Sequence, residues 1–511
     1  MKITFVYCVF ENLGVEWLSA YLKRHGYQTE LVFDPRLFDF ASKLYSFRPL
    51  GKLFNIRKKL LRRILISNPD LVCFSVVSAD YQWALDFAQD IKRVTNVPIV
   101  FGGIHPTAVP EHVLANEEVD YVIVGEGEGA LLDLVRGLEK GDVDPSTPNL
   151  WLRVDGKIIG NKPRPLIENL DDLPFPDKEM FYQLGPPFDI GHMAMARRGC
   201  HGSCSYCCNS LRRKIYFADE YGNRYRTAPG FLRRRSVGHM LAEIKWAREK
   251  FGIRLIRFND DDFAESEEWL EEYRDKAKGD LKIPYKCFVN ASSINERTAK
   301  LLEESGCKQV QMGVQSLNPK ISAFIHRIPN NRDIERAIEC FEKTSITLLT
   351  DNMFGIPGEE EDDYLNLIRF YLEHPVDFLN VYWLIYFPRT EMVEQAEQLG
   401  VLDKNKIRNM ELNPYGGDIN RRTRLHSANL LRMKNLCEIY NYFPRPVIRF
   451  IMEHKLYKLL PPLNLFFPLR VMGVLRHVKN GDFPAPTTGY ELVWLRHRRL
   501  LKHWIPKVLF G

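Results

Sequence analysis

Three cysteines of this 511-residue chain have a spacing that suits a metal centre. They lie in the segment RRGCHGSCSYCC (Arg197–Cys208), which holds four of the ten cysteines. Cys200, Cys204 and Cys207 follow the pattern Cys-x3-Cys-x2-Cys, so one short loop can direct three thiolates at a single centre. The other six cysteines are scattered, unlike the regular pairing of a secreted scaffold. We therefore expect a cytoplasmic protein with a metal site in this loop.

Two kinds of centre compete for these thiolates. Structural zinc needs four ligands, and its cysteines usually come as two separated Cys-x2-Cys pairs. His201 and Cys208 are available as a fourth ligand, but each adjoins another ligand and is poorly placed for the same tetrahedron. A 4Fe–4S cluster on three cysteines leaves one iron open to a substrate or cosubstrate. With a cluster, Cys208 is expected to be a bystander, or in the alternative a second redox or substrate-contacting thiol.

Strand and helix patterns alternate on both sides of the cysteine loop, over residues 191–390. The run HMAMARR leads as a strand into the cysteines, and the following helix is expected to begin at Ser236 as its N-cap. Six strand–helix steps predict a partial β/α barrel with parallel strands. Chemistry on such barrels takes place at the C-terminal ends of the strands, and the cysteine loop is expected there.

The first 138 residues also alternate between strand and helix, and predict an α/β domain with an open, doubly wound parallel sheet. Ligands bind beyond the carboxyl ends of the strands in such sheets. Three loops of small residues fall there: Ser75–Asp80, Gly102–Thr107 and Gly125–Ala130. Each loop alone is compatible with plain turn chemistry. Together they favour a bound ligand, because glycine lets a ligand approach the backbone closely.

The C-terminal part of the chain differs in charge from the rest. Residues 421–511 hold 17 Lys and Arg against 4 Asp and Glu, a net charge of +13, so the first 420 residues carry −7. Basic residues alternate there with Leu, Phe and Trp, which is typical of helices that lie in a membrane interface. A helical cap over the barrel with a solvated basic face explains the same pattern. Nucleic-acid binding is disfavoured, because the aromatic residues alternate with aliphatic residues and proline.

These patterns divide the chain into four parts. Residues 1–138 are the first domain, residues 139–190 a linker rich in Pro and Asp, residues 191–390 the barrel, and residues 391–511 a mainly helical basic region. No uninterrupted apolar stretch reaches the ~20 residues that span a bilayer. The N-terminal run predicts a strand rather than a signal peptide. We expect a cytoplasmic location, peripheral at the inner face of the membrane if the basic region lies on lipid.

The cysteine spacing, Tyr206 before the third cysteine, and the position after the first strand of a partial barrel resemble the radical S-adenosylmethionine (radical SAM) superfamily. Three later segments resemble motifs on its second, fourth and fifth strands: Phe258–Phe263, Gly313–Arg327 and Gly355–Asp363. Residues 1–138, taken with Leu170–Asp177, look like the cobalamin-binding domain that precedes the barrel in one large subgroup. The resemblance covers roughly residues 1–390.

This resemblance implies a 4Fe–4S cluster on the three cysteines, with its open iron on the amino and carboxylate groups of SAM. Cleavage of the sulfonium gives a 5′-deoxyadenosyl radical, which takes hydrogen from an unactivated carbon. The SAM-binding candidates by position are Tyr206, Asp260, Asp261, Asn290, Gln315, Ser316, Gly355, Ile356 and Gly358. The two aspartates are candidates for the ammonium, the amides and serine for the ribose or carboxylate, and the glycine segment for the adenine. Each could instead make only local hydrogen bonds at a strand end.

Cobalamin is the third cofactor that the resemblance implies. Many cobalamin domains carry Asp-x-His-x2-Gly after the first strand. With Gly14 as the glycine, Val9 and Glu11 occupy the Asp and His positions, so we expect no cobalt-binding histidine from this loop. His105 is expected to make a loop hydrogen bond rather than bind cobalt. The candidate cobalamin-binding residues are Glu11, Asn12, Gly14, Ser75, Val76, Ser78, Gly102, Gly103, His105, Gly125, Glu126 and Gly127.

The sequence thus predicts a cobalamin-dependent radical SAM enzyme that methylates an unactivated carbon of a hydrophobic substrate, such as a lipid, isoprenoid or tetrapyrrole. In that chemistry one SAM makes the substrate radical and another supplies the methyl group through cobalamin. Ring closure, rearrangement or oxidation with the same cofactors is one alternative. A non-enzymatic metal-containing scaffold that binds membranes or RNA is another. The expected partners are the substrate, an electron donor such as flavodoxin or ferredoxin, and a membrane surface, but no nucleic acid.

Overall fold

The computed structural model of the chain describes most of the first domain and the barrel, and part of the C-terminal region. It covers residues 1–37, 48–185, 188, 191–412, 428–460, 462, 503, 506 and 507, with residues 48–50 described by their backbone alone. Two separate sheets with helices packed against them make up most of this part, together with a short two-stranded ribbon. The predicted α/β class is confirmed.

The first sheet contains seven strands. They are β1 (Lys2–Cys8), β2 (Gln28–Asp34), β3 (Leu71–Ser75), β4 (Ile99–Gly102), β5 (Tyr121–Ile123), β6 (Leu150–Val154) and β7 (Lys157–Gly160). Their order is β2-β1-β3-β4-β5-β6-β7. Strands β1 to β5 are parallel to each other, whereas β6 pairs antiparallel with both β5 and β7. The order reverses between β1 and β3, where such sheets bind ligands. The β6–β7 hairpin extends the sheet past residue 138, the predicted end of the domain.

Helices cover both faces of this sheet. They are α1 (Leu13–Arg24), α2 (Arg48–Leu53), α3 (Arg57–Ser67), α4 (Tyr81–Lys92), α5 (Ile104–Ala108), α6 (Pro110–Leu114) and α7 (Glu128–Lys140). Helix α1 begins after Asn12, whose Oδ1 accepts a hydrogen bond from the Val15 amide at 3.0 Å. It ends before Gly26, which has the positive φ of +86° typical of a glycine that terminates a helix. Phe5 and Val6 belong to different apolar clusters, one on each face of the sheet.

The second sheet contains six parallel strands, as predicted for the partial barrel. They are β8 (His192–Ala194), β11 (Ile256–Phe258), β12 (Tyr285–Asn290), β13 (Cys307–Gln315), β14 (Thr347–Phe354) and β15 (Phe378–Trp383). Their spatial order follows the chain from β8 to β15. Two short strands, β9 (Arg197–Arg198) and β10 (Arg233–Arg234), form a separate antiparallel pair.

Helices connect these strands. They are α8 (Glu179–Tyr182) before β8, and then α9 (Cys208–Tyr221), α10 (Val237–Phe251), α11 (Glu267–Lys276), α12 (Glu296–Glu304), α13 (Pro319–Phe324), α14 (Asn331–Glu342) and α15 (Glu361–Glu373). The predicted N-cap of α10 is confirmed, because Ser236 Oγ accepts a hydrogen bond from the His239 amide at 3.1 Å. The parallel strands place all their connections to the following helices at one edge, and the cysteine loop lies at that edge.

The described C-terminal region is helical and covers the edge of the barrel at β15. Its helices are α16 (Glu391–Gln398), α17 (Lys404–Leu412), α18 (Ala428–Tyr440) and α19 (Arg445–Glu453). Asn441 accepts a hydrogen bond from the Leu379 amide at 2.7 Å and donates one to the Leu379 carbonyl at 2.9 Å, so it pairs with the edge strand. The basic tail beyond residue 460 lies outside the described residues, apart from four of them. No helix in the described part is both long and apolar enough to cross a membrane.

Candidate active site

The cysteine loop connects β9 to α9 at the carboxyl edge of the barrel strands. Gly199 opens it with a φ of +93°, and a Cβ there would overlap a backbone carbonyl oxygen, so the position requires glycine. A Cβ on Gly202 would lie 3.5 Å from Cys200 Sγ and 3.8 Å from Cys204 Sγ. These two sulfurs therefore flank one glycine. Cys204 is buried, while Cys200 and Cys207 are half-buried.

Hydrogen-bond donors surround the sulfurs. The Gly202 amide is 3.3 Å from Cys200 Sγ, and Arg327 Nη1 is 3.8 Å from Cys204 Sγ. Burial, with the charge of Asp261, raises the pKa of Cys200 to about 11, so the free thiol is protonated at neutral pH. A bound metal must displace this proton, and the N–H donors then stabilise the thiolate. Thiols with N–H donors are a donor set that fits an iron–sulfur cluster.

The arrangement of the thiols bears on the kind of centre. In the described residues, no three His, Cys, Asp or Glu side chains are arranged to hold one metal ion. The ligands of a 4Fe–4S cluster bind different irons, so its sulfurs need not converge on one point. Cys207 and Cys208 hydrogen-bond to each other through their thiols. A cluster on Cys207 would have to replace this contact.

The acidic strand end after β11 carries three carboxylates in different environments. Asp260 is buried; its Oδ2 accepts a hydrogen bond from the Ala196 amide at 3.1 Å, and its Oδ1 has no partner among the described residues. Burial raises the pKa of Asp260 to about 6. Asp261 is exposed. Asp262, which the sequence analysis did not include, is buried and accepts a hydrogen bond from the Asn290 amide at 3.2 Å. Asp260 thus keeps one oxygen without a partner among the described residues, and Asp261 is exposed although it accepts a hydrogen bond from the Asn209 side chain, whereas Asp262 holds the next strand end.

The predicted polar residues after β12 and β13 differ in how they are held. The Asn290 side chain accepts a hydrogen bond from the Ser292 amide at 3.2 Å, and Ser316 Oγ accepts one from the Asn318 amide at 3.3 Å. Both side chains therefore make local bonds. Gln315 has a φ of +71°, where the register with β14 shifts. A positive φ is costly for a residue with a side chain and is found most often at functional sites.

The glycine segment after β14 is a tight turn held from inside. Gly355 and Gly358 have φ values of +83° and +92°. Between them Ile356 is fully buried, and its amide donates a hydrogen bond to Glu359 Oε2 at 2.8 Å. Burial raises the pKa of Glu359 to about 8. Tyr206 packs against the same apolar cluster as Ile356, so the cysteine loop and this turn share a core.

A cavity of about 260 Å³ lies between the first domain and the barrel. The ends of β3, β4 and β5 form one wall, and Met195, Arg197–Gly199 and Asp261 form the other. Trp17 of α1 closes one side, with the Arg198 guanidinium 4.8 Å from its ring centroid. The carboxyl edges of the two sheets therefore face one shared space.

Seven of the predicted cobalamin-binding residues line this cavity: Gly14, Ser75, Gly102, Gly103, Gly125, Glu126 and Gly127. Gly103 has a φ of +98°, and a Cβ there would lie 2.7 Å from the Val76 nitrogen. Gly125 has a φ of +84°, and a Cβ there would overlap the hydroxyl of Tyr216 from α9. That hydroxyl accepts a hydrogen bond from the Glu126 amide at 2.7 Å. These glycines thus satisfy local packing as well as shaping the cavity.

The other five predicted cobalamin-binding residues lie outside the cavity: Glu11, Asn12, Val76, Ser78 and His105. His105 is fully buried, its Nδ1 is 3.1 Å from Ser78 Oγ, and its ring centroid is 4.2 Å from that of Tyr81. Burial lowers the pKa of His105 to about 3, so the imidazole is neutral. Its inclusion among the cobalamin-binding residues finds no support in the cavity, because the ring is enclosed within its own domain. Val76 is buried behind Gly103, and Asn12 caps α1.

Glu11 forms a buried ion-pair group instead. Its Oε1 lies 2.9 Å from Lys178 Nζ, and Glu16 Oε2 lies 2.6 Å from the same nitrogen. All three side chains are at most 1% exposed. Burial raises the pKa of Glu16, while the two carboxylates raise the pKa of Lys178 against its own burial. Lys178 therefore ties the linker to Glu11 in the loop before α1 and to Glu16 in α1.

Sequence reasoning missed the charged residues that surround Glu126. Arg233 Nη2 lies 2.8 Å and Arg198 Nη1 lies 3.2 Å from Glu126 Oε1, and Arg198 also pairs with Glu128 at 2.6 Å. Although burial opposes it, the charges of these arginines and of Arg212 lower the pKa of Glu126 to about 2. The runs RRG and LRRRS contain Arg198 and Arg233, but local spacing does not show that these arginines contact the other domain.

Comparison with known protein families assigns both domains. Residues 197–371 match the model of the Radical SAM superfamily, and residues 4–135 match that of the B12 binding domain. The chain is a radical SAM protein with a cobalamin-binding domain. The cofactors of this radical SAM enzyme are therefore a 4Fe–4S cluster, SAM and cobalamin.

Named relatives are similar to the chain over much of its length. This radical SAM protein is 26% identical over 393 residues to an uncharacterized methyltransferase of Pyrococcus horikoshii, covering 75% of this chain and 78% of that one. It is 21% identical over 416 residues to the anaerobic magnesium-protoporphyrin IX monomethyl ester cyclase of Rubrivivax gelatinosus, covering 76% and 68%.

Two solved structures have the same fold. One is the radical SAM methyltransferase TsrM from Kitasatospora setae with cobalamin and a [4Fe-4S] cluster bound, with a TM-score of 0.61, 17% identity and 78% of each chain covered. The other is the cobalamin-dependent S-adenosylmethionine radical enzyme OxsB with aqua-cobalamin bound, with a TM-score of 0.66, 15% identity, and 99% of this chain and 80% of that one covered. At these identities the likeness concerns the fold.

Proposed function

We propose that this radical SAM enzyme transfers a methyl group from SAM to an unactivated carbon of a hydrophobic substrate. The observation that carries the proposal is the cavity between the domains, whose walls come from the glycine loops of the cobalamin-binding domain and from the cysteine loop of the barrel. Cofactors that act in turn on one substrate carbon must reach it from one space. The methyltransferase of Pyrococcus horikoshii supports the same reaction class.

Cys200, Cys204 and Cys207 are the proposed cluster ligands, and Cys208 is proposed to be a bystander. Gly202 and Arg327 support this assignment, because their N–H groups lie at two of the sulfurs. Hydrogen bonds and positive charge at a cluster sulfur stabilise the reduced state. When bound, the cluster supplies the electron that starts SAM cleavage, and cobalamin supplies a methyl carrier.

The SAM site is proposed at the barrel edge beside the cluster. Asp260 and Asp261 are proposed to hold the ammonium group, because Asp260 Oδ1 has no partner among the described residues and Asp261 lines the cavity. Gln315 is proposed to contact the ribose or carboxylate, with Asn290 and Ser316 shaping the neighbouring turns. The backbone of Gly355–Gly358 is proposed to pass the adenine, with Tyr206 packed beneath it.

The cobalamin site is proposed on the seven cavity-lining residues of the first domain, without a histidine on cobalt from the loop that precedes Gly14. Glycines in these loops leave the backbone open to a flat ligand. Glu11 is held by Lys178 and lies outside the cavity, so the residue at the position of the usual histidine faces protein. In this proposal the protein binds and orients SAM and cobalamin and keeps water from the reacting carbon.

The hydrophobic substrate and the membrane contact are proposed together. Phe443, Val447, Phe450 and Leu459 in the described C-terminal region are 39% to 80% exposed. Basic residues such as Arg449 lie beside them, and residues 421–511 carry the net charge of +13. Apolar and basic side chains on one surface suit an anionic bilayer. We propose a peripheral enzyme at the cytoplasmic face, reduced by flavodoxin or ferredoxin, with its substrate drawn from the membrane.

The alternative reaction is ring closure, rearrangement or oxidation with the same cofactors. The similarity to the magnesium-protoporphyrin IX monomethyl ester cyclase of Rubrivivax gelatinosus favours this possibility. Both reactions begin with the same radical, so the residues around the cluster do not distinguish them. The mass of the product distinguishes the two reactions, because only methylation adds a methyl group.

The test uses enzyme reconstituted anaerobically with iron, sulfide and cobalamin, SAM carrying a deuterated methyl group, a chemical reductant and a membrane lipid extract. We expect 5′-deoxyadenosine, S-adenosylhomocysteine and one product that has gained the labelled methyl group. Production of 5′-deoxyadenosine with an unlabelled product would favour the alternative reaction. A wild-type enzyme that does not cleave SAM would contradict both.

The ligand assignment is tested in the same preparation. The wild type is expected to bind about four irons and four sulfides. Changing Cys200, Cys204 and Cys207 together to alanine should remove them, while Cys208→Ala serves as the matched control and should retain them. Iron retained by the triple variant would show that the assignment is wrong.

A further inference from the structure

The barrel strands have one face packed on helices and another that is turned inward, here called the lumen face. On β12, Tyr285, Cys287 and Val289 are at most 3% exposed and pack in the core, whereas Phe288 is 39% exposed. On β15, Tyr382 is 38% exposed, next to the buried Val381. Because side chains alternate along a strand, the lumen face offers aromatic surface to a bound molecule.

Two cations occur side by side on this face. Lys286 precedes Phe288 by two residues, and it pairs in register with Arg257 on β11. Both side chains are partly buried. The Lys286 ammonium makes no hydrogen bond or ion pair with any residue of the described part of the chain. Burial, followed by the charge of Arg257, lowers its pKa to about 7.

A pair of this kind costs stability in the free protein. Like charges at paired positions of neighbouring strands repel, and a partly buried ammonium without a partner loses hydration. Arg257 has an interaction of its own, so an anion would act chiefly on Lys286, where it would reverse both effects. The carboxylate of Asp351 on β14, which pairs in register with Gly313, is already used by other side chains. It accepts hydrogen bonds from Gln311 at 2.6 Å and from Asn380 at 3.0 Å.

The position of Lys286 suits one end of a substrate. It lies four residues before Asn290 at the carboxyl end of β12, which is about 13 Å along a strand. The proposed SAM and cobalamin sites lie beyond that end. A molecule whose anionic group is bound at Lys286 would therefore have to extend about 13 Å to bring a carbon atom to the radical.

We propose that the barrel lumen binds a substrate with an anionic group, a carboxylate or a phosphate, on Lys286 beside Arg257, and with its apolar part along Phe288 and Tyr382. This inference rests on the proposed function and narrows its substrate class to an amphiphilic acid. Lys286 then determines specificity. Its charge lowers the stability of the free protein and favours the binding of an anion.

The test measures binding to the reconstituted enzyme by isothermal titration calorimetry, with three probes of equal chain length: octyl phosphate, octanoate and octanol. We expect one or both anions to bind the wild type at least tenfold more tightly than octanol. The stronger of the two anions identifies the phosphate or the carboxylate as the preferred group. Lys286→Met should abolish that preference, so that neither anion binds more tightly than octanol, and Lys286→Arg should restore most of it. Lys308→Met, a change at an exposed lysine on the next strand, is the matched control and should bind like the wild type.

Thermal unfolding separates a binding role from a structural one. Lys286→Met should keep or raise the melting temperature, because it removes a cation that has no partner among the described residues. A fall of several degrees would show that the ammonium supports the fold and would overturn the proposal. Equal anion binding by the wild type and Lys286→Met, or no preference for anions in the wild type, would overturn it as well. Reductive cleavage of SAM by the wild type is measured in parallel, since its absence contradicts the proposed function and not this site.

Discussion

Arg327 illustrates how one side chain can adjust the cluster. Its Nη1 lies 3.8 Å from Cys204 Sγ, and its Nη2 donates a hydrogen bond to the Gly313 carbonyl. The guanidinium is thus fixed between the cysteine loop and β13. A cation at a cluster sulfur favours the state with the additional electron.

We therefore expect Arg327→Gln to lower the reduction potential of the cluster. The expected shift is on the order of 60 mV, which corresponds to a tenfold change for a one-electron couple. Arg327→Lys should show a smaller shift, because it keeps the charge but loses the fork that bonds both partners. A redox titration followed by electron paramagnetic resonance measures the potential. The same potential in Arg327→Gln and the wild type would show that the guanidinium does not act on the cluster.

The β6–β7 hairpin belongs to the core of the cobalamin-binding domain. Leu150 and Leu152 are 0% and 6% exposed, and the Asn149 side chain donates a hydrogen bond to the Val124 carbonyl at 2.8 Å. We expect Leu152→Ala to lower the free energy of unfolding of the full chain by about 2–5 kcal/mol, because truncating a buried leucine leaves a cavity in the core. Urea unfolding followed by circular dichroism measures the difference. Ile158→Ala on β7 is the matched control and should cost less than about 1 kcal/mol, because that side chain is 40% exposed. Equal losses in the two variants would refute the expectation.

The same hairpin shows what the sequence did and did not reveal. Alternating runs of Val, Ile and Leu predicted the parallel strands, because buried strands need them. The pair Asp155–Gly156, with φ values of +51° and +76°, is a hairpin signal within a segment whose Pro and Asp content favoured a linker. The three cysteines were predictable because their spacing is local. The pairing of Glu126 with Arg198 and Arg233 was not, because it depends on how two domains dock.

At the scale of the whole molecule, one buried lysine joins three segments. Lys178, from the linker, pairs with Glu11 and Glu16 of the first domain. The nearby Glu243 of α10 binds His192 at 2.9 Å and Arg235 at 2.6 Å, and its charge acts on Lys178. Lys178 thereby holds the linker to the first domain next to the start of the barrel.

We expect Lys178→Met to destabilise the full chain by about 3–5 kcal/mol, because it leaves two carboxyl groups buried without their cation. Lys23→Met is the matched control. Lys23 pairs with Asp177 at 2.7 Å but is 46% exposed, so its loss should cost less than about 1 kcal/mol. Urea unfolding of the holoenzyme measures both variants. Equal effects of the two changes would mean that burial of the Lys178 pair contributes nothing.

Helix α9 begins at the residue after the third cysteine, and Tyr216, eight residues later, touches the glycine loop of the cobalamin-binding domain. Eight helical residues measure about 12 Å, so this segment is a spacer of fixed length between the cysteine loop and the contact with the glycine loop. The helix fixes the distance from the cysteine loop to Tyr216 by a number of residues, and the contact of Tyr216 with Glu126 relates that distance to the cobalamin-binding domain. An inserted residue would rotate Tyr216 by about 100° away from its contact, whereas most substitutions in the helix would not change this distance.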